Sequence, residues 1–259
     1  MAHTKYRKNY LDNVILQFRF PACDGLGSAL PKDFHERIKD HFPMINMGKH
    51  ITVEATAKPD ATVEISRQTE KISWVFSAID GASSLGVAAD EFTLVYKKWD
   101  DFPPVRSVLR TAWASFRDIY DVKMISRVGF RYVDVIAIPV GNPLDWDGYI
   151  AEALVKATLP LDPPAGHTLR RSMHAMCWAT DDYRVTFQFG MHNPEFPNAI
   201  TKRQFIVDSD CYSLGPVPAD EGESTLGKFN RILIDLFERS IGPKLRHEMG
   251  EETVEDGSD

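Results

Sequence analysis

The order of segments constrains this chain most. An alternating stretch, a helix, three strand-like stretches and a second helix run up to residue 120, and the same order then runs again. Asn13–Phe20 sets Val14, Leu16, Phe18 and Phe20 on one side and Ile15, Gln17 and Arg19 on the other. That is the period of a half-buried strand, and Pro21 ends it. Phe34, Ile38 and Phe42 follow at helical spacing, after Ser28 or Pro31. Strand-like stretches come next at His50–Ala57 or Thr62–Ser66, at Lys71–Ile79, and at Leu85–Ala88 with Phe92–Trp99. Asp100 and Asp101 ahead of Pro103 and Pro104 open a helix carried by Val105, Leu109, Ala112, Trp113 and Phe116.

The second pass begins with a long strand, Met124–Ile138, then a short helix through Lys156. Strands follow at Thr168–Thr180, Tyr183–His192 and Arg203–Tyr212. The closing helix starts at Ser224, a capping residue, and is stopped by Gly242-Pro243. Gln17-Phe18-Arg19-Phe20-Pro21 in the first pass answers Gly129-Phe130-Arg131-Tyr132-Val133 in the second. The pattern predicts an α+β fold with an internal duplication, the halves being residues 1–122 and 123–249. One antiparallel sheet of about eight strands would carry four helices on a single face, saddle-like, in the manner of the TATA-box-binding protein. That likeness concerns fold and brings no function with it.

Charge and cysteine narrow the classes of function. The net charge is −7, and six acidic residues between Glu248 and Asp259 account for most of it; without them the chain carries −1. Residues 250–259 therefore read as an acidic, disordered tail. A nearly neutral body lacks the basic excess of a nonspecific nucleic-acid binder. Cys23, Cys177 and Cys211 form no CxxC pair, so neither a zinc site nor a disulfide framework is indicated, and no cofactor is expected. No apolar run is long enough to span a membrane, and the basic start has no signal-like apolar stretch behind it. These features predict a cytoplasmic protein.

A sheet covered on one face presents the other to solvent or a partner. Alternation assigns that face Gln17, Arg19, Arg127, Arg131, Arg184, Thr186, Gln188, Asp208 and Asp210. Arg127 and Arg131 share it, about 13 Å apart along one strand. Arginines on a rigid sheet grip carboxylates or phosphates in bidentate fashion, which makes this a candidate binding surface. Cross-strand Arg–Asp pairs on a solvated face are the plainer reading. Asp208 and Asp210 could also hold a divalent cation, although no motif places a third acid with them. Gly25-Leu26-Gly27-Ser28 lacks the lysine of a phosphate loop and the third glycine of a dinucleotide fingerprint. Ser83-Ser84 has no nucleophile-elbow motif, and no nucleophile–base pair stands out.

Several of these stretches resemble one bacterial protein family. They are Asn9-Tyr10-Leu11 before the QFRF strand, Trp74-Val75-Phe76 ending in Asp80-Gly81, Tyr96 before the long helix, and Ile125-Ser126-Arg127-Val128-Gly129-Phe130-Arg131-Tyr132. Phe205-Ile206-Val207-Asp208 with Asp210 and the Phe237-Glu238 helix also fit. The family is sporadically distributed, about 250 residues long, designated by number rather than name, and functionally uncharacterised. Sporadic occurrence is the habit of genes in mobile defence or toxin–antitoxin cassettes, and the resemblance implies that setting but no catalytic residues. The sequence leans away from an enzyme. Its first expectation is a binding or adaptor protein that engages a protein partner, a second copy or an anionic small ligand through the polar sheet face. The alternatives are a divalent-metal-dependent enzyme acting on nucleic acid or nucleotides, and a structural subunit of a larger complex.

Overall fold

A computed structural model of the chain describes residues 3–27, 29–57, 63–97, 102–159, 161 and 163–254. In chain order the elements are β1 (His3–Tyr6), β2 (Leu11–Arg19), α1 (Lys32–Ile38), β3 (Met44–Ala57), β4 (Val63–Ser77), β5 (Ser83–Ala88), β6 (Glu91–Tyr96) and α2 (Phe102–Tyr120). They continue with β7 (Met124–Ile125), β8 (Arg127–Ala137), α3 (Glu152–Thr158), β9 (Ser172–Ala179), β10 (Tyr183–Met191), β11 (Gln204–Ser213), β12 (Val217–Pro218), α4 (Gly222–Ser240), α5 (Pro243–Met249) and β13 (Glu251–Val254). The fold is α+β, with one nine-stranded antiparallel sheet in the order β3-β4-β5-β6-β2-β8-β11-β10-β9 and five helices. Two-stranded pairs β1-β13 and β12-β7 complete it. The chain divides into two compact units. The N-terminal unit comprises Ile15–Gly129 and Ser213–Gly227; the C-terminal unit comprises Met1–Val14, Phe130–Tyr212 and Lys228–Asp259.

The N-terminal unit is built on aromatic packing. Leu16, Phe18, Phe76, Leu85, Phe92 and Leu94 share the buried parity of their strands. The helices α1 and α2 lie against that face: Phe34 meets Phe76 edge-on at 5.9 Å, and Trp113 meets Phe18 at 4.5 Å between ring centroids. Phe116 reaches Phe34 and Phe92 at 5.4 and 5.5 Å. Such pairs add about 0.5–1.5 kcal/mol each beyond simple burial. The indole N–H of Trp113 donates to Ala219 O at 2.9 Å, so the buried ring leaves no orphan donor. Pro103 and Pro104 sit in the first turn of α2, where a missing N–H costs nothing. Glu223, in the first turn of α4, accepts bonds from both Arg106 and Arg110 of α2.

In the C-terminal unit Ile136, Phe187, Phe189, Phe205 and Val207 pack with Trp146, Ile150, Ile241, Leu245 and Met249 from the loops and helices. Tyr6 on β1 donates to the Glu238 carboxylate of α4 at 2.9 Å, and Arg246 of α5 pairs with Glu238 and Glu251. The chain turns from α4 to α5 at Gly242-Pro243, with Pro243 opening the new helix.

Three expectations are corrected. The main sheet has nine strands rather than eight, because β3, β4, β5 and β6 are four strands where the pattern reads three. Residues 44–57 and 63–77 form one long hairpin, and their polar sequence hides its length. The closing segment is not wholly a solvated tail: Glu251–Val254 pairs antiparallel with His3–Tyr6, so backbone bonding orders it. Helix α4 starts at Gly222, and Ser224 Oγ donates to Glu221 O instead of capping the helix. Ser28, Thr62, Asp100, Asp101, Trp99 and residues 255–259, which the sequence reading used, lie outside the described residues.

Candidate functional site

The parity that leaves the buried face also defines the opposite one. In the N-terminal unit its centre is a grid of three strands. Ser73, Ala88 and Glu91 face each other in one row; Val75, Gly86 and Thr93 in the next; Ser77, Ser84 and Val95 in the third. The middle position is a glycine ringed by small residues, so the sheet surface sinks there into an open cavity of about 330 Å³. A Cβ built on Gly86 would meet only Thr93 O, at 3.8 Å, and otherwise points into that space.

Gln17, on β2, organises the cavity's flank. Its side-chain amide donates to Glu91 Oε1 at 3.2 Å and Thr93 Oγ1 at 3.3 Å, and Thr93 Oγ1 donates to the same carboxylate at 2.8 Å. Its oxygen accepts from Arg127 Nη1 at 2.8 Å and Arg19 Nε at 3.1 Å. One neutral amide thus separates an acidic side from a basic side and fixes both. Gly129 makes room for this: a Cβ there would come within 2.7 Å of Arg127 Nη1. Arg19 is exposed and Arg127 half-buried.

In the C-terminal unit Arg131 grips Asp208 with two bonds, Nε to Oδ1 at 2.7 Å and Nη2 to Oδ2 at 2.6 Å. That fork, with Asp210 nearby, holds the Arg131 guanidinium more firmly protonated than usual despite its partial burial. Arg184 and Gln188 stand exposed on β10 beside half-buried Thr186, while Val185, Phe187 and Phe189 alternate inward. The eight candidates therefore fall into two local groups. Gln17, Arg19 and Arg127 are joined directly, Arg131 and Asp208 are joined as an ion pair, and Arg184, Gln188 and Asp210 share their strands' outward parity. Among the described residues no group of three acidic, histidine or cysteine side chains is placed to hold a metal, and Arg131 occupies the position beside Asp208 that a cation would take.

Sequence reasoning missed Asp134. It falls on the inward parity of β8 with Phe130, Tyr132 and Ile136 and is only 3% exposed. Burial, with a smaller push from the Asp208 charge, raises its carboxyl to about 8. The signal was one acid in the wrong place in the run Val133-Asp134-Val135-Ile136. Nearby on the inward side, Tyr132 donates to Asn230 Oδ1 at 2.6 Å. No family model matches the chain, and no curated protein matches it. No helix among the described residues is long and apolar enough to cross a membrane.

Proposed function

We propose that the chain is a non-enzymatic binding or adaptor protein whose outward sheet face, in each unit, engages a protein partner or an anionic ligand. The observation that supports this most is the fixed presentation of arginine on that face: Arg127 held by Gln17, and Arg131 held in a fork by Asp208. Arginines anchored in this way have surrendered rotamer freedom on folding, so less is lost when they meet a carboxylate or phosphate. We further propose that the chain arose by duplication, as in the TATA-box-binding protein. In support, within the nine-stranded sheet the first strand of each pass is neighbour to the last strand of that pass, β2 to β6 and β8 to β11, and the remaining strands follow outward in reverse chain order on both sides.

The test is capture from a lysate of the source cells with the wild type and with Arg127→Glu/Arg131→Glu. Circular dichroism checks the fold, and the exposed Arg184→Glu serves as a second variant that breaks no ion pair of the core. Loss of the captured species in both variants is expected. Retention in both, with the fold intact, contradicts the proposal.

A further inference from the structure

We infer that the edge of the main sheet at β9 is a self-association site, where a second copy of this chain adds its own β9 antiparallel across a two-fold axis. It goes beyond the binding or adaptor role, since it uses the edge of the sheet and not its outward face. β9 is the terminal strand of the nine, paired with β10 on one side. Among the described residues no backbone bond reaches its other side. The hairpin with β10 closes by Thr180 N donating to Tyr183 O at 2.9 Å, so Trp178, Met176, His174 and Ser172 form the successive bonded pairs of the ladder. By the same alternation Met173, Ala175, Cys177 and Ala179 direct their N–H and C=O groups away from the sheet.

Native sheets blunt such edges with charge, proline or a bulge. The strand at the opposite edge, β3, includes Lys49 and Glu54 and is bulged between Glu54 and Ala55. β9 contains no lysine, arginine, acid or proline. Its apolar side chains also stop short of burial. Met176 and Trp178 lie on the inward parity, opposite Phe187 and Val185 of β10, yet are 38% and 45% exposed. Trp178 stacks on Phe187 at 6.0 Å and has its other flank open. The apolar row of the inward face therefore runs on to the edge uncovered.

Charge at the two ends of the strand identifies the occupant. Exposed Arg170 and Arg171 precede β9, and exposed Asp181 and Asp182 follow it. Antiparallel pairing of β9 with itself, centred on Met176, sets Met173 opposite Ala179 and Ala175 opposite Cys177, so the outward backbone groups of one copy meet those of the other. The same register brings the arginine end of each strand beside the aspartate turn of the other, twice over, whereas a parallel addition would bring arginine to arginine. On the inward side Met176 meets its own counterpart, and Trp178 meets His174 of the second copy. Each copy uses its free edge on the other, so association closes at the dimer.

The experiment is sedimentation of the full chain, combined with cysteine cross-linking. The wild type is expected to form a dimer at concentrations up to about 100 μM and to dissociate on dilution. Met176→Lys, which sets two ammonium groups against each other at the axis, should leave a monomer with an unchanged circular dichroism spectrum. Cross-linking tests the register even if that variant fails to fold. In the non-bonded pair at the axis the two Met176 Cα atoms stand about 4.5 Å apart, within disulfide reach. The two Ala179 Cα atoms stand about 20 Å apart along the strands. In a chain with Cys23 and Cys177 replaced by serine, Met176→Cys should therefore give a covalent dimer under copper–phenanthroline oxidation, and Ala179→Cys should not. A wild type that stays monomeric, a dimer that survives Met176→Lys, or equal cross-linking of the two cysteine variants overturns the assignment. None of these outcomes bears on capture through Arg127 and Arg131, so the two proposals fail separately.

Discussion

The two units bury different things. Among the described residues the inward side of the N-terminal unit is almost wholly apolar and aromatic, its one buried polar side chain being Ser213, which accepts from Val128 N. The C-terminal unit buries Asp134, Thr158, Asn193, Ser209, Asn230 and Ser240. Most of these have partners: Asn193 donates to two carbonyls, Thr158 and Ser240 each donate to a carbonyl of the preceding turn, and Asn230 takes the Tyr132 hydroxyl. Asp134 differs in kind, for its burial disfavours the charged form and it holds its proton at neutral pH. One unit is therefore held by shape and apolar area, and the other carries an internal titration.

That contrast predicts different responses to mutation and to pH. The largest effect belongs to the aromatic core. Phe92→Ala removes a fully buried ring that touches Phe18, Trp113 and Phe116, and should cost about 3–5 kcal/mol. Denaturant unfolding should return the same loss at pH 5 and pH 8; a loss that changes with pH would break the comparison.

Asp134 comes next, and its sign is unusual for an acid. The folded state holds the proton up to about pH 8, whereas the unfolded chain releases it near the ordinary value. The folded state thus binds more protons between those limits, and stability falls as pH rises through them. Asp134→Asn, which copies the protonated form, should gain on the order of a few kcal/mol at pH 8 and almost nothing near pH 4. A gain of equal size at both pH values would place the effect in packing and remove the titration.

The smallest effect runs in the opposite direction and belongs to the N-terminal unit. Bonds from Arg110 and Arg106 pull the Glu223 carboxyl down to about 2. A depressed acid contributes above its unfolded value and loses that contribution as pH falls toward 2. Its arginine partners are exposed, which screens the pairing, so Glu223→Gln should cost about 1 kcal/mol at pH 7 and nothing near pH 2. Thermal unfolding across that range reads it directly. Acid thus loosens the first unit at its surface, and alkali loosens the second from within.

Local pattern carried a large part of the fold. The parity of Val14, Leu16 and Phe18, of Phe130 and Tyr132, and of Phe205 and Val207 was readable because alternation is a property of adjacent residues. The helix over Phe102–Tyr120 was readable for the same reason. The hairpin of β3 and β4 was not, since Glu64-Ile65-Ser66-Arg67-Gln68-Thr69-Glu70 offers no apolar stripe and pairing itself defines the strand. Strand β13 was missed because its partner, β1, lies at the other end of the chain.

The candidate site divides along the same line. Alternation located Gln17, Arg19, Arg127 and Arg131 on one face, but not the amide bridge, which depends on Glu91 and Thr93 from another strand. The cavity depends on cross-strand register, which brings Gly86 between Val75 and Thr93, and no local period encodes register.

The most direct measurement is arginine-selective labelling of the protein with and without its captured partner, followed by mass spectrometry. Arg19 and Arg184 stand on the outward sheet face, and Arg231 and Arg239 are exposed on α4. A partner on the sheet face should shield Arg19 or Arg184 and leave Arg231 and Arg239 reactive. Shielding of Arg231 and Arg239 while Arg19 and Arg184 still react would contradict the sheet face as the binding surface.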